Sequence, residues 1–229
     1  METEQLTQNP AAAEQPEEPK QPEEPKEPEY TLRDFAGDAM DIIECVATAV
    51  FIVILTFTFL ICVARVEGTS MVPTLDEGDR LAVSRLSDSY SNGDILIINN
   101  WTGHPMDQDG NIYTMPGFEK RIVKRLIAQP GQTVDIDFDA GIVYVDGKAL
   151  DEPYTNTPTN KQVDSALPLP LTVPEGYVFV LGDNRNASSD SRSCLVGLVE
   201  KKDILGKVLW RIMPLSKIGK IESNGVQNS

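Results

Sequence analysis

The chain has 229 residues, of which 41% are hydrophobic and 24% charged, which is enough for one domain with a real core and for further segments. Its formal net charge is −15. We expect no nucleic-acid partner, because phosphate binding requires clustered Lys and Arg and the chain has no basic stripe. The cysteines Cys45, Cys62 and Cys194 indicate no disulfide framework.

Residues 1–41 are predicted to form a disordered acidic tail. They contain twelve acidic and three basic residues, a net charge of −9 that leaves −6 for the rest of the chain. Up to Tyr30 they repeat Glu-Pro units and contain almost no large apolar side chain. Such a segment cannot bury enough surface to offset the entropy of ordering. We expect a solvated tail, with partner binding as the alternative.

An apolar run follows the tail, with twenty uncharged residues from Cys45 to Ala64. A helix of this length spans about 30 Å, the thickness of a bilayer's hydrocarbon core. A cleaved secretory signal is the alternative, but it would have a basic start, a shorter apolar stretch and a small-residue exit site. The sequence therefore predicts one uncleaved transmembrane helix over residues 42–65. The flanking basic residues are too few to set its orientation.

Residues 66–216 are predicted to form a mainly β, antiparallel domain, followed by a flexible C-terminal tail over 217–229. Short β-branched runs separated by Gly, Pro, Asn and Asp are typical of strands, and no long stretch has helical periodicity. The Asp146-Gly147 pair is a tight-hairpin signal. The predicted strands cover 81–83, 94–98, 121–128, 133–138, 142–145, 177–181 and 207–213.

The only histidine, His104, restricts the available chemistry. A Ser-His-Asp enzyme would have to use it, and a zinc site with several imidazoles is impossible. We interpret His104 as a surface residue in a turn-rich loop, and we expect no metal and no cofactor.

A candidate nucleophile is Ser70, in the segment Val66–Leu75. Gly68 permits a close backbone approach and Pro73 stiffens the chain behind the serine, which suits a hydroxyl on a rigid turn. Taken alone, the serine is equally compatible with a linker between membrane and domain.

Without histidine, a serine nucleophile needs another base, and a lysine serves if burial lowers its pKa. Lys124 lies in the apolar strand Arg121–Ala128. By strict alternation, Lys124 and Arg125 point to opposite faces, and the period alone does not say which of them faces inward. A solvated lysine on a strand is the alternative.

The polar segment Gly182–Arg192 follows an apolar strand directly. It contains three serines, two arginines and two aspartates, whose side chains must hydrogen-bond one another or the backbone. Asp190 and Arg192 are expected to pair. An ordinary surface loop is the alternative.

Together these segments resemble the bacterial type I signal peptidases, serine proteases with a Ser-Lys dyad. Ser70–Leu75 matches their nucleophile motif, and Gly93–Ile95 is similar to their next strand. Lys124-Arg125 followed by Pro130-Gly131 resembles their lysine motif, and Gly182–Arg192 matches their last motif in full. The resemblance spans about residues 42–213, in the family's order and in its single-anchor, Gram-positive-like form.

The resemblance implies roles for individual residues. Ser70 is the nucleophile and its backbone N–H an oxyanion donor, while Lys124 is the general base. Ser188 orients the lysine amine, and Asp190 with Arg192 holds the loop. This chain has Gly68 where some members carry a serine hydroxyl, so a side-chain oxyanion donor is missing there. Two further departures, Ala128 and Gln132, lie beyond the dyad.

The resemblance also implies a substrate and a place of action. Its substrates are exported preproteins, cleaved after A-x-A-like sites at the outer membrane surface through an acyl-enzyme. The expected partners are these preproteins, membrane lipid and, by proximity, the secretion translocon. The chain would be a single-pass membrane protein with its N-terminus cytoplasmic and its catalytic domain extracytoplasmic.

Two other functions fit parts of the sequence. A self-cleaving Ser-Lys repressor would be soluble and would usually carry a DNA-binding module, whereas this chain has an apolar run and an acidic tail. A catalytically silent binding module on the same scaffold would be expected to lack Ser70 or Lys124, and substrate turnover distinguishes it from an enzyme.

Overall fold

The structure is a computed structural model that describes residues 32–56, 60–86, 89–164 and 166–221. Its contacts divide the chain into two units, Met1–Ala47 and Thr48–Ser229. The described part of the first unit is helical. The second unit contains the end of the same helix and all the strands. Most of both predicted tails, residues 1–31 and 222–229, lies outside the described residues.

The helix α1 (Leu32–Leu55) begins and ends earlier than the predicted span of 42–65. Its first ten residues, 32–41, belong to the segment that was predicted to be a disordered tail. Leu, Ala and Met in this part have high helix propensity, and the acidic residues near the N-terminus interact favourably with the helix dipole. The uncharged part, Cys45–Leu55, is about 16 Å long. Within the described residues, no helix is long and apolar enough to cross a membrane.

The end of the predicted transmembrane helix is instead a strand, β1 (Ile61–Arg65). It pairs antiparallel with β2 (Arg80–Ser84), from Ile61 opposite Ser84 to Arg65 opposite Arg80. This pairing satisfies the backbone and packs Cys62 and Ala64 against a buried cluster, which corrects the predicted boundary at 65.

Two antiparallel sheets make up the β structure, which confirms the predicted class. After β1 and β2, the described strands are β3 (Ile95–Gly103), β4 (Met115–Ala128), β5 (Thr133–Asp137), β6 (Ile142–Val145), β7 (Lys148–Ala149), β8 (Leu171–Thr172), β9 (Tyr177–Leu181), β10 (Val199–Glu200), β11 (Ile204–Met213) and β12 (Gly219–Lys220). The larger sheet has the strand order β1-β2-β11-β3-β4-β9-β10, with β12 beside β11, and the smaller has the order β7-β6-β5-β8.

The predicted strands are all present, and the Asp146-Gly147 pair forms the expected hairpin between β6 and β7. Both hairpin residues have positive φ, 53° and 76°, as a two-residue turn of this kind requires. Five further strands were not predicted. Four of them are only two residues long, too short for a periodic pattern.

Buried clusters hold the strands and position the site. One lies beneath the turn between β1 and β2 and includes Val66, Met71 and Leu75. Another joins the two sheets through residues such as Ile127 and Phe179 of the larger sheet and Val134 of the smaller.

The prediction that His104 lies on the surface is wrong. It is buried, and its backbone bridges to Gly197 and Leu198. The reason is that the loop after β3 packs against the segment before β10, so the imidazole becomes part of the interior.

Candidate active site

The turn between β1 and β2 carries Ser70. Gly68 has φ 79°, which favours glycine, and Met71 and Leu75 are fully buried beneath the turn. The Leu75 N–H donates to the Met71 carbonyl at 2.9 Å, which closes a tight loop behind the serine. Ser70 itself is half-buried. The turn therefore presents the Ser70 hydroxyl from a rigid base.

Lys124 reaches this hydroxyl from β4. Its Nζ lies 2.8 Å from Ser70 Oγ, and the residue is 3% exposed. Burial lowers the pKa of Lys124 from 10.5 to about 8, although the charges of Asp190 and Asp183 act in the opposite direction. The structure thus brings together the two residues predicted as nucleophile and base, in a state where a neutral amine is accessible near neutral pH.

Arg125 points to the opposite face and makes a second buried contact. Its guanidinium donates to Asp183 through Nε at 2.8 Å and Nη2 at 2.7 Å, and through Nη1 to the Gly93 carbonyl at 2.8 Å. Thr74, in the nucleophile segment, donates to the same carboxylate at 2.5 Å. Sequence reasoning assigned no role to Arg125, although its place in an apolar strand was the same signal that singled out Lys124.

The loop Gly182–Arg192 clamps the nucleophile turn. The Asn184 N–H donates to the Ser70 carbonyl at 3.0 Å, and its side-chain amide donates to the Thr69 carbonyl at 3.1 Å. Asp190 and Arg192 form the expected pair, with Nε–Oδ1 and Nη2–Oδ2 distances of 2.8 and 2.9 Å. The Asp190 carboxylate also accepts from the Gly182 N–H. The loop is therefore tied internally and to the serine's own backbone.

Ser188 lies beside the nucleophile turn but has no hydrogen-bond partner among the described residues. A Cβ added at Gly182 would lie 2.2 Å from Ser188 Oγ and 2.6 Å from the Ser70 carbonyl oxygen. Only a glycine permits this approach. Because no hydrogen bond joins Ser188 to Lys124, the orienting role of Ser188 stays a prediction.

A further cluster, missed in the sequence, braces the loop from the segment after β7. Arg185 forms a bidentate pair with Glu152, at 2.9 and 2.6 Å. Tyr154 donates to the same carboxylate, and its ring lies 3.9 Å from the guanidinium carbon of Arg125. Glu152 and Tyr154 lie far from the motifs in the chain, so no spacing signal could have connected them with the site.

The backbone N–H of Ser70 is free to donate a hydrogen bond. Among the described residues, the Ser70 N–H has no acceptor. At Gly68 there is open space where a side chain would begin, but the positive φ disfavours any residue except glycine. Position 68 therefore supplies no side-chain hydrogen-bond donor to an oxyanion, as the glycine in the sequence already indicates.

Ser70 and Lys124 line a cleft of about 580 Å³. Its wall is formed by β1, the nucleophile turn and one edge of β4. Small and apolar side chains dominate near the dyad, among them Ala64, Val66, Ile122 and Ala187. The cleft thus offers an extended, shallow surface that leads to an activated hydroxyl, which suits acyl transfer on a peptide chain.

In the described part of the chain, one group of residues has the composition of a metal site. His104, Glu200 and Asp203 place one ligand atom each within 4.8 Å of one another. Lys202 already pairs with the Glu200 carboxylate, and none of the three residues lines the cleft. The chemistry of the dyad needs no contribution from this group.

Comparison with known proteins places the chain in a family. A family profile described as "Signal peptidase, peptidase S26" matches residues 39–213. Signal peptidase I of Bacillus licheniformis is 36% identical over 192 residues, covering 79% of this chain and 91% of that protein. Signal peptidase I T of Bacillus subtilis is 35% identical, with 76% and 86% covered.

Two further matches were found, one to a protein sequence and one to a solved structure. The probable signal peptidase I-1 of Synechocystis sp. is 36% identical, covering 69% of this chain and 74% of that protein. A crystal structure of a signal peptidase I from Enterococcus faecalis aligns with a TM-score of 0.37 and 28% identity, over 52% of this chain and 96% of that one. On the profile match and the curated relatives, the chain belongs to the signal peptidase family, peptidase S26, and is a serine endopeptidase.

Proposed function

We propose that the chain removes signal peptides from exported preproteins with Ser70 as nucleophile and Lys124 as general base. The observation that carries the proposal is the 2.8 Å contact between Lys124 Nζ and Ser70 Oγ in a cleft. The neutral amine accepts the Ser70 proton as Oγ attacks the scissile carbonyl. The amine then returns this proton to the leaving nitrogen, and the peptide bond breaks. Water, activated by the same amine, hydrolyses the resulting ester.

The surrounding residues hold this geometry. The Ser70 N–H stabilises the oxyanion of the tetrahedral intermediate. Asp190 and Arg192 keep the loop closed. Once substrate is bound, the Ser188 hydroxyl accepts a hydrogen bond from the charged lysine amine or donates one to the neutral amine. The support for these roles is the burial of all three residues around the nucleophile turn. None of these steps requires a metal or cofactor.

The substrate binds as an extended strand. Pairing of β9 with β4 is confined to Arg125–Ala128, so upstream of Arg125 the described part of β4 is paired on one side only, with β3. A peptide that adds to this free edge satisfies its own backbone and brings its side chains alternately to the wall. The small residues near the dyad favour small side chains at the first and third positions before the cut, as in an A-x-A site.

The test is cleavage of a preprotein with an Ala-x-Ala site by the detergent-solubilised full chain. Wild type should cut after the final alanine, whereas Ser70→Ala and Lys124→Ala should lose at least about a thousandfold in rate. Lys148→Ala, an exposed lysine of β7, is the matched control and should cleave as wild type does. Equal turnover by all variants would instead support the silent binding module.

The proposal extends to a membrane anchor and a topology. Every described apolar side chain of α1 from Ile42 to Leu55 is exposed, on all sides of the helix. A helix that is apolar all round is stable when lipid surrounds it. We therefore assign the apolar part of α1, from Ile42 to Leu55, to the membrane, with the N-terminus cytoplasmic and the catalytic domain outside, near the lipid surface and the translocon.

Sealed vesicles test this topology. In right-side-out vesicles, added protease should digest the catalytic domain and spare an epitope placed before residue 31. In inverted vesicles the outcome should be reversed. Extraction of the chain by alkaline carbonate would refute the anchor, and protection of the catalytic domain in right-side-out vesicles would refute the orientation.

A further inference from the structure

Three cations stand around the mouth of the cleft. Arg65 ends β1, and Lys120 and Arg121 lie in β4; all three residues are exposed and line the cleft with the dyad. We call this group the cationic lip. Lys120 and Lys124 are four residues apart on one strand face, so their Cα atoms lie about 13 Å apart. The charge of Lys120 adds to burial in lowering the pKa of Lys124.

The cationic lip has no internal counter-charge. None of the ion pairs among the described residues includes a lip side chain. Among the residues that the structure describes, Glu67 is the only carboxylate that lines the cleft, against three lip cations. The protein as a whole carries −15, so a positive cleft mouth is contrary to its general charge. Unpaired cations at a substrate cleft attract anionic groups and are not needed for the fold.

We infer that the cationic lip is a specificity determinant that favours preproteins with acidic side chains close to the scissile bond. The inference rests on the proposed function and adds a substrate class to it. A peptide with its scissile carbonyl at Ser70 must pass the lip within a few residues on its way along β4. An Asp or Glu at that position meets Lys120, Arg121 or Arg65, whereas a Lys there is repelled. Because these contacts are exposed, each is worth about two- to fivefold in kcat/KM.

Peptides that differ in one charge test the inference. An Ala-x-Ala peptide receives Asp, Asn or Lys at each position on either side of the scissile bond, and kcat/KM is measured with the full chain in neutral detergent. The assay runs at about pH 9.5, above the pKa of Lys124, so that a change in its protonation does not enter. At one or more positions Asp should exceed Lys by about threefold or more at low salt. The preference should shrink at about 1 M salt, where the Debye length is about 3 Å.

Charge reversal assigns the effect to the lip. Arg121→Glu and Lys120→Glu should invert the order, so that the Lys peptide is cut faster than the Asp peptide. Lys148→Glu changes the net charge equally but lies outside the cleft, and it should leave the wild-type order intact. Folding is not at risk, since both lip side chains are exposed.

Three outcomes would overturn the inference. They are equal cleavage of all three peptides by wild type, an unchanged order in both reversal variants, and an inversion by Lys148→Glu as well. If the cationic lip instead bound anionic lipid, wild type would cleave all three peptides equally, and the reversal variants would bind anionic vesicles more weakly than wild type does. Absence of cleavage of any Ala-x-Ala peptide is a separate result, and it would count against the proposed function itself.

Discussion

The Lys124 amine lies in the protein interior, where the loss of water raises the free energy of its charged form. The side chain is buried and its Nζ contacts Ser70 Oγ, whereas Arg125, the next residue, is buried with a carboxylate that accepts two of its hydrogen bonds. One of the two neighbours is thus paired with a carboxylate, whereas burial lowers the pKa of the other, Lys124, to about 8. This difference follows from the partners on the two faces, because a paired charge is tolerated inside a protein and an unpaired one is not.

The pH profile of cleavage should follow the protonation of Lys124. Only the neutral amine accepts the Ser70 proton, so kcat/KM should rise with pH through an apparent pKa of about 8 and fall about tenfold per pH unit well below it. The measurement is kcat/KM between about pH 5 and 10. Lys148→Ala should give a superimposable curve. A profile that stays flat to about pH 6 would contradict a lysine base.

Removal of the lysine should stabilise the fold while it abolishes activity. The folded chain binds the Lys124 proton less tightly than the unfolded chain, so unfolding takes up a proton between about pH 8 and 10.5. The free energy of unfolding of wild type therefore rises with pH through that window. At pH 7, Lys124→Met should be more stable than wild type by on the order of 2 kcal/mol.

Chemical denaturation measures this difference. It should decrease as the pH approaches about 10.5, where both states of wild type lose the proton. Lys148→Met, at an exposed position, should change stability by no more than about 0.5 kcal/mol. A Lys124→Met protein that is less stable than wild type at pH 7 would show that contacts of the ammonium outweigh its desolvation.

At the scale of elements, the loop after β9 and the turn after β1 fit together without space between them. Gly182→Ala should therefore displace either Ser188 or the Ser70 carbonyl, because a Cβ there lies 2.2 and 2.6 Å from them. A shift of about 1 Å at the nucleophile costs up to about a hundredfold in kcat. Gly219→Ala, with no atom within 4 Å of the new Cβ, is the control. Unchanged kcat in Gly182→Ala would mean that the loop position is not coupled to the dyad.

The buried pair of Arg125 and Asp183 links β4 to the same loop. Arg125→Met leaves a fully buried carboxylate unpaired and should lower the free energy of unfolding by about 3–5 kcal/mol. The double variant with Asp183→Asn should recover part of this loss, since it removes the stranded charge. The exposed Arg80→Met should have little effect. Equal stability of the single and double variants would contradict a charge-based cost.

At the scale of the whole molecule, catalysis should reside in the second unit, Thr48–Ser229. The dyad and every residue that braces it lie there. A variant without residues 1–31 should therefore keep its kcat/KM on a detergent-presented peptide within about twofold, because the acidic, Pro-rich composition of this segment predicts few lasting contacts. A loss of tenfold or more would assign the tail a role in the reaction.

Local pattern was enough to predict much of this molecule. Alternating β-branched runs predicted seven of the twelve described strands, and the Asp146-Gly147 pair predicted the β6–β7 hairpin. The resemblance of three short motifs indicated Ser70, Lys124 and the loop that contains Asp190. The predictions from local sequence pattern that were wrong concern features that tertiary contacts decide. The apolar run did not reveal that Ile61–Arg65 pairs with β2, and a lone histidine in a turn-rich loop did not reveal that it is buried.

The sequence by itself determined seven of the described strands and the residue types that are available for chemistry, because strand periodicity and motif spacing are local properties. Only the tertiary structure decided that Lys124 rather than Arg125 faces Ser70, and that Tyr154 and Glu152 brace the loop. The face on which a strand residue acts depends on what packs against it, and those partners come from distant parts of the chain. The same holds for the lowered pKa of Lys124, since burial is a property of the assembled core.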